Sequence, residues 1–467
     1  MKVLRVFALI LITANLAMAD DPFAESNILL SAVTQHQPPS PTSSVTLAEL
    51  QEMAMRSNPE IRIAVRRLSV AQSRVPGAGA LDDPTFMYRD WGTPLKKPWD
   101  LNQAQNMFMY SQSLPGPGKR GLRSEIAGKE VEVAKAELEA VRRDVSARVS
   151  RAFYDLLRNH DELRIHDQQV IIARQALETA RVKYTVGRVP QQDVLKAQVA
   201  LTRLAEHLNS LAEDGDLASA TLNSLIGRDP SEPLEVLGQY SLPASLPSLA
   251  EMEKVALDKR PELTAFSRAI EQSETRTKLA QKGYTPDYTI SAGYMLTPAG
   301  STYRNNYMAE FGLSLPWLNR RKHDAEISEA QALTLEQRAE YDNQRALVFL
   351  QIQEALVKAR TAYRNLSLYR DTLKPQAEAT FKATVTAYKN DRTDFLNLLD
   401  SQNMTLEVES SYFKNAAEFE SRLADLERVV GAPISRDDGA RETSPEVSDD
   451  IESLLSGETF AVSVQVT

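Results

Sequence analysis

The chain has 467 residues, a formal net charge of −9, no cysteine and 7% aromatic residues. The lack of cysteine excludes disulfides, thiolate metal sites, a cysteine nucleophile and a lipid-bearing N-terminal cysteine, and the acidic balance argues against nucleic acid as a partner. Length alone allows two or three ordinary domains, but abundant Ala, Glu, Gln, Arg and Leu suit long helices better than a large globular core.

The N-terminal residues Met1 to Arg5, the apolar run Val6 to Ala14 and Ala17-Met18-Ala19 carry the basic, hydrophobic and A-x-A parts of a secretory signal peptide, with cleavage expected after Ala19. Residues 20–44 are Pro- and Ser-rich and are expected to run extended along other elements or to be partly disordered. Thr46 with Glu49 forms a capping box that starts a helix. Asn58-Pro59-Glu60 starts another, since Asn caps, Pro fits the first turn and Glu favours the positive end. That helix stops around Pro76 to Gly79. Pro84 to Trp91 and Asn106 to Leu114 read as strands joined by a loop through Pro94, Pro98 and Asn102, although their alternation is imperfect. Lys119, Arg120 and Arg123 follow at once.

From Arg123 to Tyr184 no proline interrupts and apolar residues recur at helical spacing through Val141, Val145, Val149, Phe153 and Leu157, predicting one helix of roughly 90 Å at ~1.5 Å per residue. It ends in a turn at Tyr184 to Pro190, with Gly187 available for the left-handed cap, and a returning helix runs from about Gln191 to Leu225. The first unit thus occupies residues 45–237, and a Pro- and Ser-containing linker covers 238–247.

The same object then recurs. Asn58-Pro59-Glu60 is echoed by Arg260-Pro261-Glu262, Ser113-Leu114-Pro115 by Ser314-Leu315-Pro316, Tyr184 by Tyr388, Gln198 by Gln402 and Gly227 by Gly431, at offsets between 201 and 204 residues. A constant offset of this kind is a tandem duplication, so residues 248–434 repeat the helix-strand-strand-helix-helix unit. Here the strands alternate cleanly: Tyr288, Ile290, Ala292 and Tyr294, then Tyr307, Ala309, Phe311, Leu313 and Leu315, lie on one face, with small or polar residues on the other. Arg320, Arg321 and Lys322 follow. The second long run has its tip near Tyr388 to Asp394, and Pro375 is expected to kink or loosen it. The remaining residues, 435–467, carry eight acidic and two basic side chains and are expected to be disordered.

Strands with this dyad pattern, in a chain with a secretory signal, suit a membrane β-barrel whose lipid face carries Tyr288, Ile290, Tyr294, Tyr307, Phe311 and Leu313. Hairpins packed on a soluble core are the alternative. Four strands cannot close a barrel, and open edges cannot face lipid, so a barrel of this chain requires oligomerisation. The basic residues at both helix starts oppose the helix dipole and would be favoured by lipid phosphates at the membrane surface. PGPGKR lacks the G-x-x-x-x-G-K-[ST] spacing of a phosphate loop. His36, His160, His166, His207 and His323 form no metal-binding motif. No catalytic residue, cofactor or resident metal is expected.

The order of elements, the duplication, the YxxG-type turn and the L-I-G helix end together resemble the TolC-like outer-membrane efflux proteins, over about Thr46 to Pro433. The segment S-L-P-G-P-G-K-R-G-L-R is similar to the form found in the cobalt-zinc-cadmium and copper-silver branch. The resemblance implies a mostly α fold with a membrane β-barrel portion: a homotrimer in the outer membrane, with a twelve-stranded barrel continued by a long α-helical periplasmic tunnel. It also implies coupling through a periplasmic adaptor to a proton-driven inner-membrane pump, with export of heavy-metal cations. By motif match the adaptor-contacting tips fall on Val186, Gly187 and Arg188 and on Asn390 and Asp391, the last standing where glycine is usual. The pore constriction falls on Asp400, Asn397, Asp193 and Asp394, Asn397 departing from an acidic position. The alternatives are a drug-efflux or type I secretion duct of the same fold, or, in a different class, a periplasmic coiled-coil adaptor or scaffold.

Overall fold

The structure, a computed structural model, describes residues 44–92, 104–241, 246–298, 300–302, 305–390, 392–393 and 395–434. The expected signal peptide, nearly all of the extended segment 20–44, the tail 435–467 and the tip residues Asp391 and Asp394 lie outside them.

Local chemistry sets each element. Helix α1 (Leu47–Ser57) begins where the Glu49 carboxylate accepts from the Thr46 amide at 2.8 Å while the Thr46 hydroxyl accepts from the Glu49 amide at 3.4 Å, satisfying two amides that the first turn leaves unpaired. Helix α2 (Pro59–Ala78) begins with Asn58 Oδ1 accepting from Glu60 and Ile61 at 2.8 and 3.2 Å. Strands β1 (Thr85–Trp91) and β2 (Gln105–Leu114) follow. Helix α3 (Lys119–Thr185) has 67 residues, about 100 Å of rise, and starts four residues before the expected Arg123. Helix α4 (Gln191–Ile226) returns and closes on Gly227, whose φ is +74°.

The second copy repeats the series. Helix α5 (Leu249–Lys259) opens on a Ser248–Glu251 capping box, the counterpart of the one at Thr46. Then come α6 (Pro261–Gln281), β3 (Tyr288–Leu296), β4 (Asn305–Leu313), α7 (Arg320–Leu368), α8 (Lys374–Lys389) and α9 (Phe395–Val430). Two details differ from expectation. Leu315 lies outside β4, because a 3-10 turn starts at Pro316 and the Ser314 amide donates to Asp287 O at 2.9 Å. The loosening expected at Pro375 takes the form of a π turn over Tyr369–Leu373, just ahead of the residue that has no amide to donate.

Packing repeats along with sequence. Val145, Val149, Phe153, Leu222 and Ile226 are buried with Leu50 and Ala54 in one core, and Val348, Ile352, Leu356, Leu426 and Val430 with Met252 and Ala256 in a second. Each residue of the first set maps onto one of the second at an offset of 202 to 204. Helix α3 joins both copies, packing against α2, α4, α6 and α9. The strands form one antiparallel sheet in the order β1-β2-β3-β4. The two hairpins therefore meet at β2 and β3, leaving β1 and β4 as the sheet's edges.

Candidate functional site

The sheet is inside out for a water-soluble protein. Its register pairs Phe86 with Tyr110, Tyr88 with Phe108, Phe108 with Tyr294, Ile290 with Phe311 and Tyr294 with Tyr307, so these side chains share one face. Tyr288 and Leu313 are paired on it too, which brings all six residues expected at a lipid face together. The same face is open: Tyr307 is 89% exposed, Phe86 71% and Phe311 66%. Ring contacts run across it, with Tyr88 and Phe108 at 5.1 Å and Tyr294 and Tyr307 at 5.5 Å between centroids. The other face holds the polar link, Ser111 Oγ donating to Ser291 Oγ at 2.8 Å. Leaving a large apolar side chain in water forgoes about 1.5–3 kcal/mol, so a ladder of them requires an apolar cover.

The basic residues beside the sheet do not act as one cluster. Lys119 is buried, and its Nζ bonds Asp287 Oδ1 at 2.8 Å, the same oxygen accepting from the Gly116 amide at 2.7 Å. Burial pushes the Asp287 carboxyl up, but the bonds to Lys119 and Gly116 and the nearby Arg123 outweigh it and hold the carboxyl below its usual range. Asp287 thus supplies the negative partner that the start of α3 calls for, and Lys119 is a structural cation rather than a surface one. Arg120 Nε donates to Gly79 O at 2.9 Å. Arg123, Arg320, Arg321 and Lys322 are exposed.

At the opposite end of α3, Gly187 takes φ +71°; its amide donates to Tyr184 O and that of Arg188 to Lys183 O, each at 2.9 Å. Val186, Gly187 and Arg188 are exposed. Asp193 sits half-buried in the first turn of α4, beside the fully buried Val194. Along one face of that helix, Gln192, Leu195, Lys196, Val199, Ala200 and Arg203 line a groove of about 370 Å³. In the second hairpin Asn390 is exposed and donates back to Thr386 O at 2.7 Å. Asn397 and Asp400 are exposed near the start of α9, next to the buried Leu399.

Sequence spacing did not reveal two pairings made between elements. The rings of His166 on α3 and His207 on α4 lie 4.4 Å apart, and burial, together with the neighbouring ring, holds the His166 pKa below its usual value. Tyr240 donates to Asp161 Oδ2 at 2.9 Å. Among the described residues no group of three or more His, Cys, Asp or Glu is arranged to hold a metal ion.

The comparisons agree with this geometry. The family model described as outer membrane efflux protein matches residues 50–228 and 254–432. The cobalt-zinc-cadmium resistance protein CzcC of Cupriavidus metallidurans is 21% identical over 314 residues, 67% of this chain and 74% of that one. Among solved structures, CusC superposes with a TM-score of 0.68 at 14% identity, over 86% of this chain and 96% of that one. The outer membrane protein VceC of Vibrio cholerae gives 0.66 at 17%, over 83% and 96%.

Proposed function

Since this chain belongs to the outer membrane efflux protein family, we propose that it is the exit duct of a tripartite export system, a passive conduit through which a proton-driven inner-membrane pump expels heavy-metal cations. Three copies close a twelve-stranded barrel through the edges β1 and β4, and the paired long helices continue it as a periplasmic tunnel. The observation that carries this reading is the sheet: an exposed aromatic face and two open edges, which lipid and neighbouring copies would cover together. Further apolar residues stand ready on the helix flanks, among them Ile63 and Val70 beside a groove of about 810 Å³ between α2 and α3. Subunit packing would bury such narrow stripes while both tunnel faces stay wet.

Heavy-metal cargo is supported by the name of the relative CzcC. In this reading Val186, Gly187, Arg188, Asn390 and Asp391 meet the adaptor. Asp400, Asn397, Asp193 and Asp394 line the constriction, where a ring of carboxylates in a narrow pore concentrates cations. Arg123, Arg320, Arg321 and Lys322 face lipid phosphates, while Tyr288, Ile290, Tyr294, Tyr307, Phe311 and Leu313 face the acyl chains.

Single-channel recording in planar bilayers tests the proposal. Detergent-extracted wild-type protein is expected to give discrete cation-selective openings, and Asp400→Ala to weaken that selectivity. A chain that leaves membranes without detergent would overturn the duct and favour a periplasmic scaffold. Anion-selective openings unchanged by the substitution would remove Asp400 from the constriction.

A further inference from the structure

The face of the sheet turned away from the aromatic ladder carries a chemistry that a polar barrel lumen does not need. Met87, Met107, Met109, Met295 and Met308 are five of the chain's eleven methionines, and the register puts all five on that face. Met87 pairs with Met109, Met107 with Met295, and Met109 and Met308 lie on either side of Gly293. Met107 and Met295, directly paired, have their Cβ atoms about 4.5–5.5 Å apart, and Met109 and Met308, two strands or about 10 Å apart, reach toward each other over Gly293 with flexible thioethers.

The local geometry keeps this patch open to its own side chains. A Cβ on Gly293 would lie 3.0 Å from Phe108 O and 3.6 Å from the Met109 Cβ, so glycine leaves room for Met109 between β2 and β4. Two sulfurs accept hydrogen bonds: Met295 Sδ from Gln105, and Met87 Sδ from Arg89 Nη2 at 3.6 Å. The Arg89 cation, bonded to Met87 and directly opposite Met107, bounds the patch on the β1 side, where Met107 keeps its second neighbour, Met295; Met107, Met109, Met295 and Met308 form the core. Glu310, on the same face two residues from Met308, adds a negative charge.

We infer that Met107, Met109, Met295 and Met308 form a thioether site for a soft monovalent cation, copper(I) or silver(I), on the inner wall of the barrel. This rests on the duct reading, which makes that wall the lumen, and it narrows the cargo class. Thioethers favour soft monovalent ions, whereas zinc and cobalt prefer imidazole and carboxylate. Neutral ligands without a thiolate bind weakly enough for an ion to leave, as a conducting path requires.

The test uses the mature chain in detergent with carbon-13-labelled methionine methyl groups, titrated with silver nitrate in chloride-free buffer. Silver is expected to shift saturably the signals assigned by the single changes Met107→Leu, Met109→Leu, Met295→Leu and Met308→Leu, and to leave those of the helical Met53, Met252 and Met404 in place; zinc should shift none. The fourfold leucine variant, which nearly conserves side-chain volume, should lose saturable silver binding. No shift, or equal shifts at helical methionines, would overturn the site on the wild-type chain alone. Potassium conductance is read separately: conduction without methyl shifts overturns only this inference, and methyl shifts without conduction overturn the duct while keeping the thioether site.

Discussion

Asp161 is a carboxylate held in a place that suits its neutral form. It lies on α3, accepts from Tyr240, and sees Arg164 only at 3.9 Å. Burial holds its carboxyl above the usual range in spite of the Tyr240 bond, and burial with the same carboxylate pushes the Tyr240 hydroxyl up. The folded state therefore binds the proton more tightly than the unfolded chain, whose Asp titrates at ~3.9. Stability from this group is present below that value and is lost as pH rises through the folded-state pKa. Asp161→Asn keeps an acceptor for Tyr240 without the charge. We expect the melting temperature of the wild type to fall relative to the variant as pH is raised from acid to neutral, with the variant at least as stable at neutral pH. Melting curves that run parallel across that range would remove Asp161 as the cause.

At the scale of elements, helix ends do the positioning, and their glycines differ in kind. Gly187 has nothing within 4 Å of the place a Cβ would take, whereas at Gly227 that Cβ would meet Ser57 O at 2.8 Å. Gly187→Ala should cost only the left-handed strain, about 1–2 kcal/mol. Gly227→Ala adds a clash against the end of α1, about another 1–3 kcal/mol. Thermal melts of the detergent-purified variants should rank them in that order, and equal losses would show that the α1 contact yields freely. These ends were legible in the sequence because caps and glycines act within four residues. So were β3 and β4, whose clean alternation comes from small or polar residues filling one face for most of their length. The alternation of β1 and β2 was blurred because Met87, Met107 and Met109 make their inner face apolar too. The Lys119–Asp287 and His166–His207 pairs were hidden for another reason: each joins distant parts of the chain, and no local period encodes such a contact. The constriction proposed at Asp193 and Asp400 rests on family resemblance, since a lone carboxylate near a helix start reads equally well as a cap.

For the whole molecule the decisive asymmetry is between the two faces of one sheet. Phe311 on the open face and Thr289 on the other sit on adjacent strands. A lysine on a lipid face costs up to about 2–4 kcal/mol at the bilayer midplane, while lumen positions tolerate charge. Phe311→Lys should therefore reduce the yield of detergent-requiring oligomer when the chain is folded into phosphatidylcholine vesicles, and Thr289→Lys should leave it near wild type. The reverse ranking would mean the sheet's faces are assigned the wrong way round.

That asymmetry also sets a hazard for the newly made chain. Before assembly a single copy offers an aromatic surface and two unpaired strand edges at once, the combination most prone to cross-pairing with the wrong partner. The α3–α4 pairing joins neighbours in sequence, and local contacts form quickly, whereas Ser111 of β2 meets Ser291 of β3 across a separation of 180 residues. The β2–β3 junction should then close after the α3–α4 hairpin, so that the adhesive strand edges stay uncovered longest. Any delay there would leave copies of the chain competing between insertion and aggregation.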